Sequence, residues 1–399
     1  MTTVVTLHCR SERCSLASPI MSAQRTGTAD LPLHGGHVPR WLADRMTTLG
    51  GLIAETIVLH YGRRELLRRL AHPFWFQSFG AVMGMDWHSS GITTSVIGSL
   101  KRALAPRARD LGVYVCGGRG AHSRRTPGEL LTIGERVGLD GDALARTSRL
   151  VAKVDSAAVQ DGFDLYLHGF IVSDDGAWTV VQQGMSPLRR QARRYHWSSE
   201  DLTSFVEAPH RAIEGRPGGD ILNLTDPRAR DARVSGLMLA TGDPAVVIDT
   251  LARMPSALPA GADGQLHLVL PKRHDVRPSD VLMRRLDATL AAVAAHGPTD
   301  FPDLLLVPGV GARTVAALAM VAEVVHGAPA RFADPARYSL ALGGKDGHPF
   351  PVPLAVYDET LRVLTHAVGS AKLGRDEKLA ALRRLDCQAR RIEAAATVH

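Results

Sequence analysis

Apolar side chains recur every three or four positions along most of this chain, the spacing that gives an α-helix one buried face. Residues 25–105 are predicted to form a series of helices separated by glycines, and Pro39 suits the first turn of one of them. Residues 142–154 and 279–296 have the same amphipathic pattern, and Ser279 is a suitable N-cap for the second. The chain is therefore predicted to be mainly helical.

A second pattern, rich in β-branched and aromatic residues, marks a pair of strands. Residues 163–172 and 178–183 have this composition, and an Asp-Asp-Gly turn at 174–176 separates them. An Asp-Gly pair between two such runs is a strong hairpin signal, because the centre of the tight turn requires positive φ. With Asp-Gly at the centre of a two-residue turn, His168 is predicted to lie opposite Gln183.

Together these elements predict an α+β fold. We expect a mainly helical N-terminal region with a small sheet that contains the β-hairpin, followed by an all-helical C-terminal domain. At 399 residues the chain is long enough for two or three domains. The expected divisions are a disordered leader at 1–24 in which Met21 is an alternative start, an α+β domain with the candidate active site at 25–225, a connecting region at 226–278 and a helical domain at 279–399.

The stretch at 303–318 gives the clearest indication of a partner. An apolar run ends at a Pro-Gly-Val-Gly turn, and an Ala-rich helical pattern begins directly after it. This arrangement resembles a helix–hairpin–helix over residues 303–326, a module that grips nucleic-acid backbones without reading bases. Gly309 and Gly311 would let backbone N–H groups approach a phosphate, and Arg313 would add a charge beside the helix dipole. The alternative is a plain connection between two helices.

Composition excludes several classes of protein but does not identify the function. Hydrophobic residues make up 45% and charged residues 22% of the chain, as in ordinary globular proteins, and the net charge is +7. A basic chain suits a polyanionic partner, although an Arg-rich proteome gives the same balance. Cys9, Cys14, Cys116 and Cys387 are too scattered for a zinc site or a disulfide framework. With no export signal and no membrane-spanning apolar run, we expect a cytoplasmic protein that does not enter a membrane.

Polar residues that the helix pattern does not explain are concentrated in the N-terminal half. Asp86 and His88 flank a tryptophan just before a predicted helix, where they form a candidate acid–base or metal-binding pair. In the structural alternative, the hydroxyl group of Ser89, Ser90 or Thr93 caps that helix. The two interpretations are evenly matched.

A second polar cluster lies on the predicted hairpin and the helix before it. Asp155, His168 and Gln183 resemble the arrangement of metal-dependent nucleases, in which acidic and amide groups surround a divalent ion at the edge of a sheet. The acid-x-Lys ending typical of those enzymes is missing, because Gly184 and Met185 follow Gln183. The alternative is a half-exposed hairpin with a polar outer face.

A basic and aromatic run occupies residues 189–197. Arginines neutralise backbone phosphates and aromatic rings stack on bases, so Arg193, Arg194 and Trp197 are candidate contacts to a nucleic-acid strand. The alternative is a solvated charged face.

Six specific blocks run along nearly the whole chain from residue 25 onward. They are RTGTADLPLHGG at 25–36, DWHSSG at 86–91, AKVD at 152–155, VQQGM at 181–185, ARRYHW at 192–197 and GGKDG at 343–347. In these blocks the chain resembles an uncharacterised prokaryotic domain-of-unknown-function family, found in archaea and bacteria. The resemblance implies little about activity. The separate helix–hairpin–helix resemblance covers only residues 303–326 and implies DNA binding directed at the backbone.

Our leading hypothesis is a DNA-binding protein that processes its partner, as a metal-dependent nuclease or a related DNA-repair hydrolase. In it Asp86 and Asp155 hold Mg²⁺ or Mn²⁺ or activate water, His88 and His168 move protons, and Gln183 orients substrate or water. One alternative is a non-enzymatic DNA-binding or repair-accessory protein, and another is an enzyme acting on phosphorylated small molecules. The sequence leaves open DNA against RNA, the metal and the oligomeric state.

Overall fold

The computed structural model describes residues 31–32, 38–85, 90–200, 202–254, 283–337, 354–372 and 374–396. Its helices are α1 (Arg40–Tyr61), α2 (Arg63–Leu70), α3 (Pro73–Val82), α4 (Gly91–Leu104), α5 (Ala108–Leu111), α6 (Ala121–Val137), α7 (Gly141–Lys153), α8 (Arg230–Thr241), α9 (Pro244–Arg253), α10 (Met283–His296), α11 (Phe301–Leu306), α12 (Ala312–His326), α13 (Leu354–Ser370) and α14 (Arg375–Ala396). Its strands are β1 (Leu31–Pro32), β2 (Val113–Arg119), β3 (Val159–Gln160), β4 (Asp164–Ser173), β5 (Trp178–Ser186), β6 (Gln191–Ser198), β7 (Ala212–Glu214), β8 (Asp220–Asn223) and β9 (Arg331–Ala333). The predicted α+β class is confirmed.

The main sheet is antiparallel, with the strand order β1-β6-β5-β4-β2 and with β7 also paired to β6. A second, smaller sheet joins β3, β8 and β9. The predicted helix at 142–154 is confirmed as α7, and the one at 279–296 is described from Met283 onward as α10.

Helices cover both faces of the main sheet. Alternate residues of a strand point to opposite faces, and each face has its own hydrophobic core. Phe170, Val180 and Trp197 pack with helices α7 to α12 in the first core. Ile171 and Val181 pack with α1 to α4, α13 and α14 in the second core. Because neither face is left to solvent, polar side chains on β4 to β6 must find partners inside the protein.

The hairpin between β4 and β5 is confirmed, but the predicted register is wrong by one residue. The loop has three residues rather than two, and its last residue, Gly176, has φ +84° and donates its N–H to the Ser173 carbonyl at 2.9 Å. A left-handed third residue is typical of three-residue hairpin loops. His168 therefore lies opposite Gln182 and not opposite Gln183. A shift of one residue exchanges the two faces, so Gln182 and not Gln183 shares a face with His168.

The C-terminal part of the chain, residues 279–399, contributes to both cores. Its helices α10 to α12 belong to the first core, and α13 and α14 belong to the second. Strand β9, within a region predicted to be all-helical, pairs with β8. The boundaries expected at 225 and 279 stay predictions, while these contacts join the segments on either side. The leader predicted at 1–24 lies outside the described residues.

Among the described residues, no single helix has the length and apolar composition needed to cross a membrane. The bent pair Pro227–Thr241 and Pro244–Arg253 passes that test of length and composition only when the two are taken together.

Arg193 on β6 is the centre of a buried ion network. Its guanidinium donates to Asp161 at 2.8 Å and to both carboxylate oxygens of Asp334 at 2.9 and 3.0 Å. These three side chains are at most 1% exposed. Asp161 also accepts the Tyr195 hydroxyl at 2.7 Å, and Asp334 accepts the Gly218 N–H at 2.7 Å. The network fastens the segment after β9 to the main sheet.

Removal of one partner from this network should be costly. We expect Asp334→Ala to lower the free energy of unfolding by about 3–5 kcal/mol, because it leaves the buried Arg193 charge without half of its compensation. Denaturant unfolding measures the loss. The exposed Asp231 on α8 provides a matched control, and Asp231→Ala should change stability by less than about 0.5 kcal/mol. Equal stability of the two variants would contradict the structural role of Arg193.

Candidate functional site

The sheet separates residues that the sequence places in one candidate site. Asp155 and His168 lie on the face covered by α7, where His168 contacts Gln182. Gln183 points to the opposite face and donates to the backbone at the start of α4. The Asp155 face is therefore one candidate centre, with Gln182 in the place expected for Gln183.

Asp155 is buried just beyond α7. It lies in a π-helical turn, Val154–Ala158, and turns of this kind occur frequently at functional sites. Its Oδ2 accepts the Trp197 Nε1–H at 2.9 Å and an N–H of the Gln182 amide. Its Oδ1 lies 2.5 Å from Nε2 of His210. Three nitrogen groups thus hold one carboxylate in a fixed orientation.

Further hydrogen bonds extend from Gln182 to α7. Gln182 Oε1 lies 2.6 Å from His168 Nδ1, and His168 Nε2 lies 2.9 Å from Ser148 Oγ. An ionised carboxylate only accepts, so Gln182 must turn its amide nitrogen to Asp155 and its oxygen to His168. His168 consequently carries its proton on Nδ1 and accepts the Ser148 hydroxyl. We call the connected side chains the Asp155 network: Ser148, Asp155, His168, Gln182, Trp197 and His210.

His168 has a positioning role in this network. Burial lowers the pKa of His168 below the usual value of 6.5 and so favours the neutral ring. The side chain is buried, and both ring nitrogens are engaged by Ser148 and Gln182. This environment suits the orientation of Gln182 and Asp155 better than the proton transfer expected from the sequence.

His210 was not identified from the sequence. It lies in the loop between β6 and β7, 55 residues beyond Asp155, and its ring centroid is 4.5 Å from that of Trp197. Its sequence neighbours, a proline and an arginine, form no motif that indicates chemistry. The side chain lines a cavity of about 240 Å³, whose other polar lining residues are Ser198, Glu200, Thr203, Ser204 and Arg211.

The Asp155–His210 pair has the arrangement of an oriented general base. Asp155 accepts from Nε2, so His210 carries a proton there and Nδ1 is left as the second ring nitrogen. A carboxylate that fixes the tautomer and orientation of an imidazole is the arrangement of hydrolytic triads. Of the groups in the Asp155 network, His210 is the one that lines the cavity.

The structure corrects the expectation for the arginine-rich strand. Arg193, Arg194 and Trp197 are fully buried, so they are out of reach of a nucleic-acid strand. Arg194 pairs with Glu214 at 2.6 Å and lies 4.9 Å above the Phe76 ring, on the face opposite to Arg193. The alternation of faces along β6 explains why neighbouring arginines enter different cores. The charges of Arg193 and Arg194 are compensated by carboxylates inside the protein.

The turn at residues 307–311 connects α11 and α12 where the sequence predicts it. Gly309 has φ +93°, a conformation that favours glycine, and a Cβ there would lie 3.3 Å from Thr289 Oγ1. Gly311, the N-cap of α12, has extended backbone, and a Cβ there would meet no described atom within 4 Å. No side chain caps α12, and Arg313 in its first turn is exposed.

This turn is fastened to the segment that carries Asp155. Lys153 Nζ donates to the Val310 carbonyl, and Gln160 Nε2 donates to the Ala312 carbonyl at 2.8 Å. Burial lowers the pKa of Lys153. Residues 153–160 therefore hold one carbonyl group of the turn and one of the first residue of α12, and they also contain Asp155.

The described residues at Asp155 do not fit the expected metal ligands. Both Asp155 oxygens accept N–H groups, which are poor neighbours for a cation. Among the described residues there is no group of three or more His, Cys, Asp or Glu side chains placed to hold a metal ion. Asp86 and His88 lie outside the described residues, so their predicted roles stay predictions.

Comparison with known proteins places the chain in a family. A family model described as "Protein of unknown function (DUF763)" matches residues 27–352, which is most of the chain. The chain belongs to the DUF763 family. The match includes the Asp155 network, the cavity and the turn at 307–311 of this DUF763 member. No curated protein and no solved structure gives a match to the chain.

Buried neutral histidines should make stability depend on pH. Burial, assisted by Arg211, lowers the pKa of His72 to about 4; burial also lowers the pKa of His168, and that of His196 falls well below 6.5. Below pH 6.5 the unfolded chain binds more protons than the folded one, so this stability is complete above pH 6.5 and is lost toward the folded pKa values. Each histidine contributes about 1.4 kcal/mol per pH unit in that window.

Thermal or denaturant unfolding between pH 7 and pH 5 measures this slope. His168→Gln can retain both hydrogen bonds. It should reduce the change in the free energy of unfolding by about 1.4 kcal/mol per pH unit, the contribution of one titrating histidine. His296→Gln, at an exposed position on α10, should leave the slope unchanged. A slope that is the same with and without His168 would contradict its assignment as a buried neutral ring.

Proposed function

We propose that this protein binds the phosphate backbone of nucleic acid, in the first instance DNA, through the turn at residues 307–311. The observation that carries the proposal is that carbonyl groups around the turn have partners within the protein, whereas no side chain caps the N–H groups at the start of α12. Carbonyl groups of Val310 and Ala312 are held by Lys153 and Gln160. The uncapped N-terminus of α12 stays available, and helix N-termini of this kind attract anions.

Glycine at position 311 supports the same proposal. Neither its backbone conformation nor any described neighbour requires the absence of a side chain. Glycine is useful there if a partner approaches the backbone closely. Gly309 differs, because its φ of +93° accounts for glycine without a partner.

Two exposed arginines provide charge beside the turn. Arg313 lies in the first turn of α12. Arg285 on α10 lies one helical turn before Thr289, whose hydroxyl oxygen would lie 3.3 Å from a Cβ at Gly309. Arginines in these positions neutralise phosphates on either side of the backbone that the turn would hold.

A second proposed activity, hydrolysis of a phosphodiester bond, is supported by the cavity beside His210. In this step a water molecule attacks phosphorus, and Nδ1 of His210 takes the proton of that water. The bond from phosphorus to the leaving oxygen breaks, and the leaving oxygen takes a proton from solvent. Asp155 stabilises the imidazolium that forms, and Arg211 in the cavity lining offsets the charge of the phosphate.

The first test uses Gly311→Ala. We expect an unchanged melting temperature and at least fivefold weaker binding of labelled DNA, because the added methyl group separates the backbone N–H groups from a phosphate. Gel retardation at low salt with single-stranded, duplex and forked DNA measures the binding. Arg313→Ala should also lower the salt dependence of duplex binding by about 0.9 in log–log slope.

The matched control for charge is Arg383→Ala, at an exposed position on α14 in the helical layer on the other side of the sheet. It should leave both the affinity and the salt slope close to those of the unchanged protein. Absence of retardation at low salt, or full affinity of Gly311→Ala, would remove the binding proposal.

The second test separates cleavage from binding. His210→Ala should lower the cleavage rate by about 10²–10⁴-fold and leave retardation unchanged, because general base catalysis contributes a factor of this size. Asp155→Asn should lower the rate in the same direction, since the amide cannot stabilise an imidazolium. The rate is measured with and without Mg²⁺ or Mn²⁺.

The control is His296→Ala, which removes an exposed histidine on α10. Retardation without cleavage in any metal would leave a DNA-binding or repair-accessory protein. Metal-dependent cleavage that survives His210→Ala would place the chemistry elsewhere in the chain. Hydrolysis of phosphorylated small molecules without any retardation would favour a small-molecule enzyme.

A further inference from the structure

Buried polar atoms without hydrogen-bond partners are concentrated in the second core. Among the described residues they include Thr93 Oγ1 on α4, Gln183 Oε1 on β5, and both Nε and Nη1 of Arg194 on β6. Gln183 and Arg194 lie directly opposite each other in the β5–β6 register. Folded proteins leave few such atoms unpaired, so several on neighbouring side chains indicate that something else supplies their partners.

Gln183 connects these atoms to the start of α4. Its Nε2 donates to the Ser90 carbonyl at 3.0 Å and to the Tyr166 hydroxyl at 2.6 Å, which leaves Oε1 as the unpartnered end. Ser90, the N-cap of this 14-residue helix, makes no side-chain cap, and Thr93 is in the first turn. The positive end of α4 therefore adjoins the unpartnered Gln183 oxygen.

Arg194 is held in place but retains donors. Its Nη2 contacts Gln77 and Glu214, and Phe76 lies beneath the guanidinium. The side chain is at most 1% exposed, so neither Nε nor Nη1 is solvated. A guanidinium only donates hydrogen bonds, and its missing partner must therefore be an acceptor.

We propose that a phosphate-class oxyanion binds between the N-terminus of α4 and the strands β5 and β6. Arg194 donates to it from Nε or Nη1, whose N–H groups point to different sides of the guanidinium, and Thr93 donates from its hydroxyl group. Gln183 Oε1 accepts a hydrogen bond, which a singly protonated phosphate or phosphomonoester provides through its P–OH group. Exposed Arg119, 5.9 Å above the Tyr166 ring, adds positive charge at the edge of this region.

This site is independent of the proposed DNA contact and of the His210 cavity. Gln183 and Arg194 point away from the Asp155 network, since Gln182 and Trp197 occupy the alternate face of the same strands. The site also predicts selectivity. Sulfate has no proton at neutral pH to offer Gln183 Oε1, so we expect it to bind about tenfold more weakly than phosphate, the worth of one hydrogen bond.

The test is the rise in melting temperature of the full chain as inorganic phosphate is added. We expect a saturable rise for the unchanged protein. Thr93→Val should weaken phosphate binding about tenfold while the phosphate-free protein stays at least as stable, because a methyl group replaces an unpartnered hydroxyl of the same shape. Arg194→Lys keeps the charge but loses both free donors and should abolish the effect. Ser99→Ala, which removes a buried hydroxyl further along α4, should respond like the unchanged protein.

The source of the phosphate is distinguished with a short oligonucleotide that carries either a 5′-phosphate or a 5′-hydroxyl. Stabilisation by inorganic phosphate alone identifies a free anion as the ligand. Greater stabilisation by the 5′-phosphorylated oligonucleotide than by the 5′-hydroxyl form identifies a strand end. Either result supports the site. Absence of any shift at millimolar phosphate would overturn it. So would an equal response of Thr93→Val and the unchanged protein, a result that is decisive even if Arg194→Lys fails to fold.

Discussion

The enclosure of the main sheet by helices on both faces is the constraint on which the rest of the structure depends. Antiparallel sheets commonly leave one face to solvent, where polar side chains need no protein partner. Here Gln182, Gln183, Arg193 and Arg194 all lie on strands with two buried faces. Each of them must be paired inside the protein or by a ligand, because an unpaired buried polar group is costly.

The two faces meet this requirement differently. On the first face, Asp161 and Asp334 compensate Arg193 and leave its Nε without a partner, and Asp155 accepts from three nitrogen groups. On the second face, Glu214 compensates the charge of Arg194 but leaves donors on its guanidinium unused. More of the described polar atoms lack partners on the second face, at Thr93, Gln183 and Arg194, and the oxyanion proposed above would supply them.

Sequence patterns correctly predict the elements that depend on interactions between neighbouring residues. The α+β class, the β4–β5 hairpin and the two helices around the 307–311 turn follow from periodicity and turn residues that lie next to one another. The predicted β4–β5 register is wrong by one residue, because an Asp-Gly pair is compatible with both two-residue and three-residue loops. That single error exchanged Gln182 and Gln183 between faces.

Non-local pairing accounts for the remaining differences. Nothing near His210 indicates that it meets Asp155, since the contact depends on how a long loop returns to the sheet. The arginines of β6 have the composition of a solvated basic face, and their burial follows from carboxylates as distant in sequence as Asp334. Charge patterns show which groups need partners, but only the fold determines which partners they find.

The 307–311 turn and the Asp155 network are connected through residues 153–160. Lys153 and Gln160 reach the turn from either end of the segment that contains Asp155. This segment runs from the end of α7 through the π-helical turn into β3, and Asp155 in that turn contacts Gln182 and Trp197 of the main sheet. A ligand bound at the turn, as proposed, would be held in a fixed relation to the Asp155 network, because both depend on the same eight residues. Variants that loosen this segment would uncouple the two without removing a group from either.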